Sequence, residues 1–308
     1  MAKVFIDGSS GTTGLRIRER LEARNDIELV SIPYENRHDP SFRKECIAAS
    51  DITFLCLPDD AAKESAALAE DLDTVIIDTS TAHRTAQGWV YGLPELAGQK
   101  EKIADAKRIA NPGCHATGFI ALVQPLVKAG IIPADLYLQC TSLTGYSGGG
   151  KKMIAQYEDE KRDPLLDAPR LYGLTQMHKH LKEMKALSEI QHDPAFSPVV
   201  ADFYSGMETI IPLFKDQING TAEDIIKVYK ELYHDGLIRY ENSARDGMIS
   251  AAFMKGRDDM LVHVEGNEER IILTAVFDNL GKGASGAAIQ NMNIVLGIDE
   301  TAGLLIGE

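Results

Sequence analysis

Positive charge is scarce in this 308-residue chain: 32 Lys and Arg stand against 46 Asp and Glu, a formal charge of −14. Such a surface repels a phosphate backbone, and no basic run or aromatic–basic interleaving offsets it locally, so nucleic acid is not expected as a partner. Long apolar runs are missing too; none approaches the roughly 20 residues that cross a bilayer, so no membrane contact is expected. The first residues carry no basic stretch leading into an apolar one and enter a strand at once, Lys3-Val4-Phe5-Ile6, which reads as a cytoplasmic protein. Only four cysteines occur, Cys46, Cys56, Cys114 and Cys140, with no C-x-x-C pair and no zinc-ligand spacing. Neither a disulfide framework nor a metal centre is expected. Repeats and low-complexity tracts are also absent.

What is there is ordinary globular composition, 44% hydrophobic and 25% charged, at a length that suits two domains. The first 115 residues alternate strands (Lys3–Ile6, Glu28–Ile32, Ile52–Leu57, Val75–Ile77, Arg108–Ala110) with helices, the pattern of a parallel sheet covered on both faces. From about Leu136 the texture changes. Strands over Leu136–Cys140, Val199–Phe203, Thr209–Phe214, Leu261–Val264 and Ile271–Phe277 follow without regular intervening helices. The last two flank Glu265–Arg270 as a hairpin. A final helix, Gly283 to about Leu296, returns to pack on the first domain. The expected fold is α/β: a Rossmann-type dinucleotide-binding domain of residues 1–114 and 280–308, plus an α+β domain of 115–279 with a mixed or antiparallel sheet.

One junction stands out, Asn111-Pro112-Gly113-Cys114. The residue before a proline is pushed to extended geometry, so Asn111 ends a strand and Gly113 turns the chain. Phe119, Leu122, Val123, Leu126 and Val127 mark a helix from His115, which puts Cys114 at its N-terminus. Unpaired N–H groups and the helix dipole favour a thiolate there. The competing reading is a small buried residue at a helix start. The other three cysteines fall inside elements.

Gly8-Ser9-Ser10-Gly11-Thr12-Thr13-Gly14 follows the first strand and opens a helix, where glycines let backbone approach a pyrophosphate. The spacing is G-x-x-G-x-x-G, and a plain strand-to-helix turn is the alternative. Arg37, after the second strand, can meet a 2′-phosphate, which favours NADP over NAD. Gly145-Tyr-Ser147-Gly148-Gly149-Gly150-Lys151-Lys152 nearly spells a P-loop, but Lys152 replaces the hydroxyl that would hold magnesium. The loop reads as an anion nest or as a connector. In His178-Lys179-His180-Leu181-Lys182-Glu183, a helix would put His180 and Glu183 on one face and His178 about 200° away, unsuited to sharing a metal. A nucleophilic cysteine needs a base, and this is the dense histidine cluster; solvated surface histidines are the bland alternative.

With these residues in hand, the chain resembles the N-acetyl-gamma-glutamyl-phosphate reductases, relatives of aspartate-semialdehyde dehydrogenase, nearly end to end. Asn111-Pro-Gly-Cys114, Asp78-Thr-Ser-Thr-Ala-His-Arg84, Tyr91-Gly-Leu-Pro-Glu95, Ser142–Gly150, His178–Glu183 and Asn279-Leu-Gly281-Lys282-Gly283-Ala-Ser-Gly286 with Gln290–Asn293 carry the likeness in order. Gly113 separates it from the aspartate-semialdehyde enzymes, which have Asn there. His115 departs from the Tyr more often found after the cysteine, and many members are longer, so a short subgroup is indicated. The resemblance implies NADPH-dependent reduction of a small-molecule acyl phosphate through a thioester on Cys114, in arginine biosynthesis; because a mixed sheet in a second domain often serves as an interface, a homodimer or homotetramer is expected. It implies His180 or His178 as acid–base and Glu183 as its orienter. For the coenzyme it implies Gly8, Ser10, Gly11, Thr12, Thr13, Gly14, Arg37, Asn279, Gly281, Lys282 and Gly283. For the substrate's carboxylate and phosphate it implies Arg84, Ser147, Gly148 and Gly149. The rivals are another acyl-phosphate reductase of the same fold and a non-catalytic NADP-binding sensor.

Overall fold

A computed structural model describes residues 1–242 and 247–307; positions 243–246 and 308 of the expected domains lie outside it. Two compact units emerge, Met1–Pro94, Gly98–Pro112 and Ala284–Leu304 in the first, Glu95–Ala97, Gly113–Gly283 and Leu305–Glu308 in the second. The first contains β1 (Ala2–Asp7), α1 (Thr12–Glu22), β2 (Ile27–Val30), α2 (Pro40–Ala48), β3 (Ile52–Leu55), α3 (Asp59–Leu68) and β4 (Val75–Asp78), which alternate as expected, then β5 (Val90–Tyr91), α4 (Gln99–Ala104) and β6 (Arg108–Ala110). All strand pairs are parallel, in the order β2-β1-β3-β4-β6-β5. Every residue of β3 and β4 is buried, as befits strands covered on both faces. Ile47, Ala62 and Ala69 close one face over Phe5, Leu55 and Ile76. The two-residue β5 and the six-residue α4 escaped the sequence reading because neither is long enough to show a period.

The second unit contains α5 (Cys114–Lys128), β7 (Gln139–Gly145), α6 (Gly150–Glu158), β8 (Arg170–Leu171), α7 (Leu181–Ser188), β9 (Ala195–Ala201), β10 (Met207–Phe214), α8 (Ala222–Leu232), β11 (Ile238–Tyr240), β12 (Met260–Gly266) and β13 (Arg270–Phe277). Its sheet runs β11-β12-β13-β10-β7-β9-β8, with parallel β11–β12 and β7–β9 pairs among antiparallel ones. The expected mixed sheet and the hairpin across Asn267 are both present. Two strands are displaced. Leu136 sits in a turn, its N–H donating to the Pro133 carbonyl, so β7 begins three residues later than read. β9 starts at Ala195 because Pro198, ordinarily a strand breaker, lies inside it. The final helix, α9 (Gly286–Val295), opens after a π-turn at Gly281–Ser285. Its Ala288, Ile289 and Met292 join Ile17, Leu21 and Ile103 in the first unit's core.

Helix α5 lies on the inner face of the second sheet, closely enough that a Cβ on Gly118 would sit 2.4 Å from the Thr209 hydroxyl. Pro125 inside it has no N–H for the Ala121 carbonyl. The buried Tyr233 hydroxyl donates to that carbonyl at 2.6 Å, and Tyr229 does the same for Leu122 at 2.6 Å. Helix α8 thus supplies the donor that the proline removed.

Candidate active site

The backbone after β6 stays extended: the Asn111 N–H donates to the Asp78 carbonyl, and Gly113, the N-cap of α5, has φ −80° and ψ 142°. Gly113 therefore turns the chain without the positive φ that glycine alone tolerates. Its smallness serves the cap, which carries no side-chain hydrogen bond to the first turn of α5. Cys114 is the first helical residue and is partly exposed. Gly283 presses on it; a Cβ there would lie 2.9 Å from the Cys114 Cβ. The other thiols are held neutral. Burial pushes Cys56 up to about 12 and drives Cys140 upward, while burial and then Glu45 raise Cys46.

Helix α7 begins only at Leu181, so His178 and His180 precede it and the helical angle between them does not apply. Their rings lie 4.8 Å apart, and the His180 N–H donates to His178 Nδ1 at 3.3 Å. Glu183, buried in the first turn, places Oε1 3.9 Å from His180 Nε2 while Oε2 accepts the Gly113 N–H at 3.1 Å. One carboxylate therefore ties the histidine segment to the residue preceding Cys114. Desolvation, then Lys179, lowers the pKa of His178, favouring its neutral form. Among the described residues no three His, Cys, Asp or Glu side chains are grouped to hold a metal ion.

Three further groups, none given a role in the sequence reading, join this cluster. The His115 ring stands 5.6 Å from both His178 and His180. Its Nδ1 meets Ser142 Oγ at 2.7 Å and its Nε2 meets the Tyr172 hydroxyl at 2.6 Å. Burial, then His178, lowers its pKa to about 3, so the ring is neutral. Its place next to Cys114 was the signal for His115, and Ser142 opens the Ser142–Gly150 stretch of the resemblance; Tyr172 lies in no motif.

The loop after β7 is more committed than an open nest. N–H groups of Gly145, Tyr146 and Ser147 donate to the carbonyls of Gly206, Phe203 and Tyr204. The Ser147 hydroxyl accepts from Asn279 Nδ2 at 3.0 Å, and Asn279 Oδ1 accepts the Gly206 N–H. Gly148 and Gly149, leading into α6, remain as the part of the loop suited to an anion. Lys282 is fully buried with Nζ 2.5 Å from Glu95, so its ammonium is committed inside the second unit. Gly281 fits only as glycine, since a Cβ would fall 2.0 Å from the Arg257 carbonyl.

In the first unit, Gly8 has φ +88° and a Cβ there would meet the Cys56 carbonyl at 2.3 Å; one on Gly14 would meet the Gly8 carbonyl at 2.6 Å. A Cβ on Gly11, by contrast, would approach nothing within 3.4 Å. Gly11 caps α1 with no side-chain bond and no acidic residue in the first turn, with Ser10, Thr12 and Thr13 alongside. The neighbouring Asp7 is paired with Arg43 at 2.8 Å and accepts a hydrogen bond from the Ser65 hydroxyl at 2.6 Å. This cradle fits a dinucleotide pyrophosphate. Arg37 lies 3.7 Å over the Tyr34 ring and donates to the Tyr34 carbonyl. Arg84 is buried and donates to the carbonyls of Asn111 and Thr79, bracing the stretch that leads to Cys114.

Comparison with known proteins matches residues 114–279 to a family described as semialdehyde dehydrogenase, dimerisation domain, and residues 33–106 to semialdehyde dehydrogenase, NAD binding domain. N-acetyl-gamma-glutamyl-phosphate reductases of Brucella ovis and Brucella melitensis are each 46% identical over 307 residues, covering 96% of this chain and 99% of theirs. Among solved structures, aspartate semialdehyde dehydrogenase II from Vibrio cholerae, complexed with ASA, superposes with a TM-score of 0.70 at 17% identity, covering 96% of this chain and 98% of that one. The enzyme from Francisella tularensis gives 0.70 at 13% identity, covering 96% and 100%. At those identities the likeness concerns the fold.

Proposed function

The chain belongs to the N-acetyl-gamma-glutamyl-phosphate reductases, and from that premise we infer which of its residues carry the reaction. It reduces N-acetyl-gamma-glutamyl phosphate to N-acetyl-L-glutamate 5-semialdehyde and phosphate with NADPH, in arginine biosynthesis. The observation that carries the assignment of residues is Cys114 as the first residue of α5, with Glu183 bridging the Gly113 N–H and His180. Cys114 Sγ attacks the acyl carbon and expels phosphate, forming a thioester. When bound, NADPH supplies the hydride that converts this thioester to a thiohemiacetal. His180 or His178 holds the proton exchanged with the thiohemiacetal oxygen, and Glu183 orients the His180 ring. Collapse then frees the aldehyde and returns the thiolate to the helix start.

Gly8, Ser10, Gly11, Thr12, Thr13 and Gly14 hold the pyrophosphate, Arg37 the 2′-phosphate, and Asn279, Gly281 and Gly283 shape the nicotinamide's surroundings through backbone. Lys282 acts only by fixing that segment. Ser147, Gly148 and Gly149 receive the substrate's anionic end. Arg84 serves by bracing Asn111. No helix among the described residues is long and apolar enough to cross a membrane. The four free thiols suit the reducing cytoplasm. The outer face of the second sheet, with Pro212, Phe214 and Ile272 outward, is the surface for assembly into a homodimer or homotetramer.

The test is phosphate-dependent oxidation of N-acetyl-L-glutamate semialdehyde with NADP+, followed by absorbance. Turnover is expected, with little on aspartate semialdehyde; the reverse preference would sink the substrate assignment. Replacing the acid–base imidazole should cost roughly 10²–10⁴ in rate. If neither His178→Asn nor His180→Asn shows such a drop, the base lies elsewhere.

A further inference from the structure

We propose that Tyr172 is an additional hydrogen-bond donor to the acyl oxygen of the substrate on Cys114, held in its donating orientation by His115. This rests on the thioester reading above. Four buried or half-buried groups form one hydrogen-bonded chain: Thr209 Oγ1 to Ser142 Oγ at 3.4 Å, Ser142 Oγ to His115 Nδ1 at 2.7 Å, and His115 Nε2 to the Tyr172 hydroxyl at 2.6 Å.

The chain has a direction, and its buried end sets it. Thr209 is fully buried, and among the described residues Ser142 Oγ is the one partner of its hydroxyl. An unsatisfied buried O–H is costly, so Thr209 donates and Ser142 accepts. Ser142 must then spend its own proton on His115 Nδ1. A neutral imidazole with Nδ1 accepting carries its proton on Nε2, which donates to the Tyr172 oxygen. Burial keeps the ring neutral, with a pKa lowered to about 3, so this tautomer persists at working pH. The Tyr172 proton is thereby turned away from His115, and among the described residues no acceptor for it is found. Each donor polarises the next, which strengthens the last.

Tyr172 stands among the reacting groups. His115 directly follows Cys114, and the Tyr172 ring lies 6.0 Å from His178 and 6.1 Å from His115. Burial, then the charge of Cys114, raises the Tyr172 pKa, so the hydroxyl stays a donor into alkaline solution. Attack by Cys114 puts negative charge on the acyl oxygen, and a preorganised neutral donor stabilises charge that develops there. The histidines that move protons are thus separate from the hydroxyl that only holds the oxyanion.

Steady-state oxidation of the semialdehyde by the full chain tests this. Tyr172→Phe is expected to lower kcat by about 10²–10³ with KM changed less than about threefold, the size seen for one oxyanion donor. His115→Phe should give a comparable kcat loss, and the double variant should be no slower than the worse single, because both remove one device. A Tyr172→Phe enzyme keeping kcat within fivefold overturns the proposal, as do losses that multiply in the double variant. Tyr172→Phe removes only an oxygen from a half-exposed side chain, so it stays informative should His115→Phe misfold. Cys114→Ser in parallel separates the two readings: turnover surviving there sinks the thioester, whereas its loss together with an unaffected Tyr172→Phe sinks only the oxyanion donor.

Discussion

The two units handle ligands by opposite means. In the first, the proposed coenzyme cradle is backbone: Gly8 and Gly14 touch neighbouring main chain so closely that no side chain fits, and the cap of α1 has none. In the second, the proposed chemistry falls to side chains brought from α5, the segment before α7, and strands β7 and β10. A backbone site leaves a mark in the sequence, because glycine spacing is local. A side-chain site is assembled by topology, and a pairing such as β10 with β7 joins residues about 67 apart. The contrast predicts which substitutions abolish chemistry and which abolish binding.

The largest effect should come from Cys114→Ser. Activity should fall by at least about 10⁴ while NADPH binding, followed by fluorescence titration, stays unchanged, since the nucleophile is lost and the cradle is not. Cys46→Ala, Cys56→Ala and Cys140→Ala should keep the chemistry. A comparable loss from any of them would mean the wrong thiol was chosen. Gly8→Ala should invert the pattern: a positive φ and a 2.3 Å approach to the Cys56 carbonyl cannot both be kept. NADPH affinity should weaken at least tenfold, with acylation of Cys114 by the substrate still detectable by mass spectrometry. Intact affinity would show that the cradle tolerates a side chain after all.

Legibility followed the same division. The parallel first unit was readable for every strand but β5, because β1 to β3 are each followed by a helix and the buried runs of β3 and β4 are continuous. Cys114 was readable from the proline and glycine before it. His178, His180 and Glu183 were readable as a cluster but not as a geometry, since α7 starts one residue after His180 and the face-sharing argument needed a helix. Tyr172 follows the two-residue β8 and Ser142 sits mid-strand in β7, and neither carries any local pattern. Helix α8 was missed although Thr221 and Asp224 form a capping box. Lys282, which the resemblance implies for the coenzyme, is paired with Glu95, a contact that only the fold reveals.

A pH experiment sharpens the contrast on stability. His115 has a folded pKa near 3 against about 6.5 unfolded. Between those values the unfolded chain binds the extra proton, so stability is full above pH 6.5 and is lost as pH falls toward 3. At pH 5 the loss is about 2 kcal/mol. Urea unfolding of the wild type at pH 7 and 5 should show it, and His115→Gln should flatten it. An unchanged pH dependence in that variant would remove His115 as the source.

The smallest effect concerns how the second unit keeps its nucleophile's helix intact. Pro125 leaves the Ala121 carbonyl without its usual N–H, and the Tyr233 hydroxyl reaches it at 2.6 Å from the neighbouring helix. Tyr233→Phe keeps the ring and its burial but strands a buried carbonyl, which costs about 1–3 kcal/mol. Urea denaturation should register that loss with an unchanged m-value. Because the defect lies about two turns along α5 from Cys114, kcat at 25 °C should stay within twofold. A larger catalytic loss would mean that the start of α5 depends on its distant packing, and the separation between scaffold and chemistry drawn for the second unit would have to be given up.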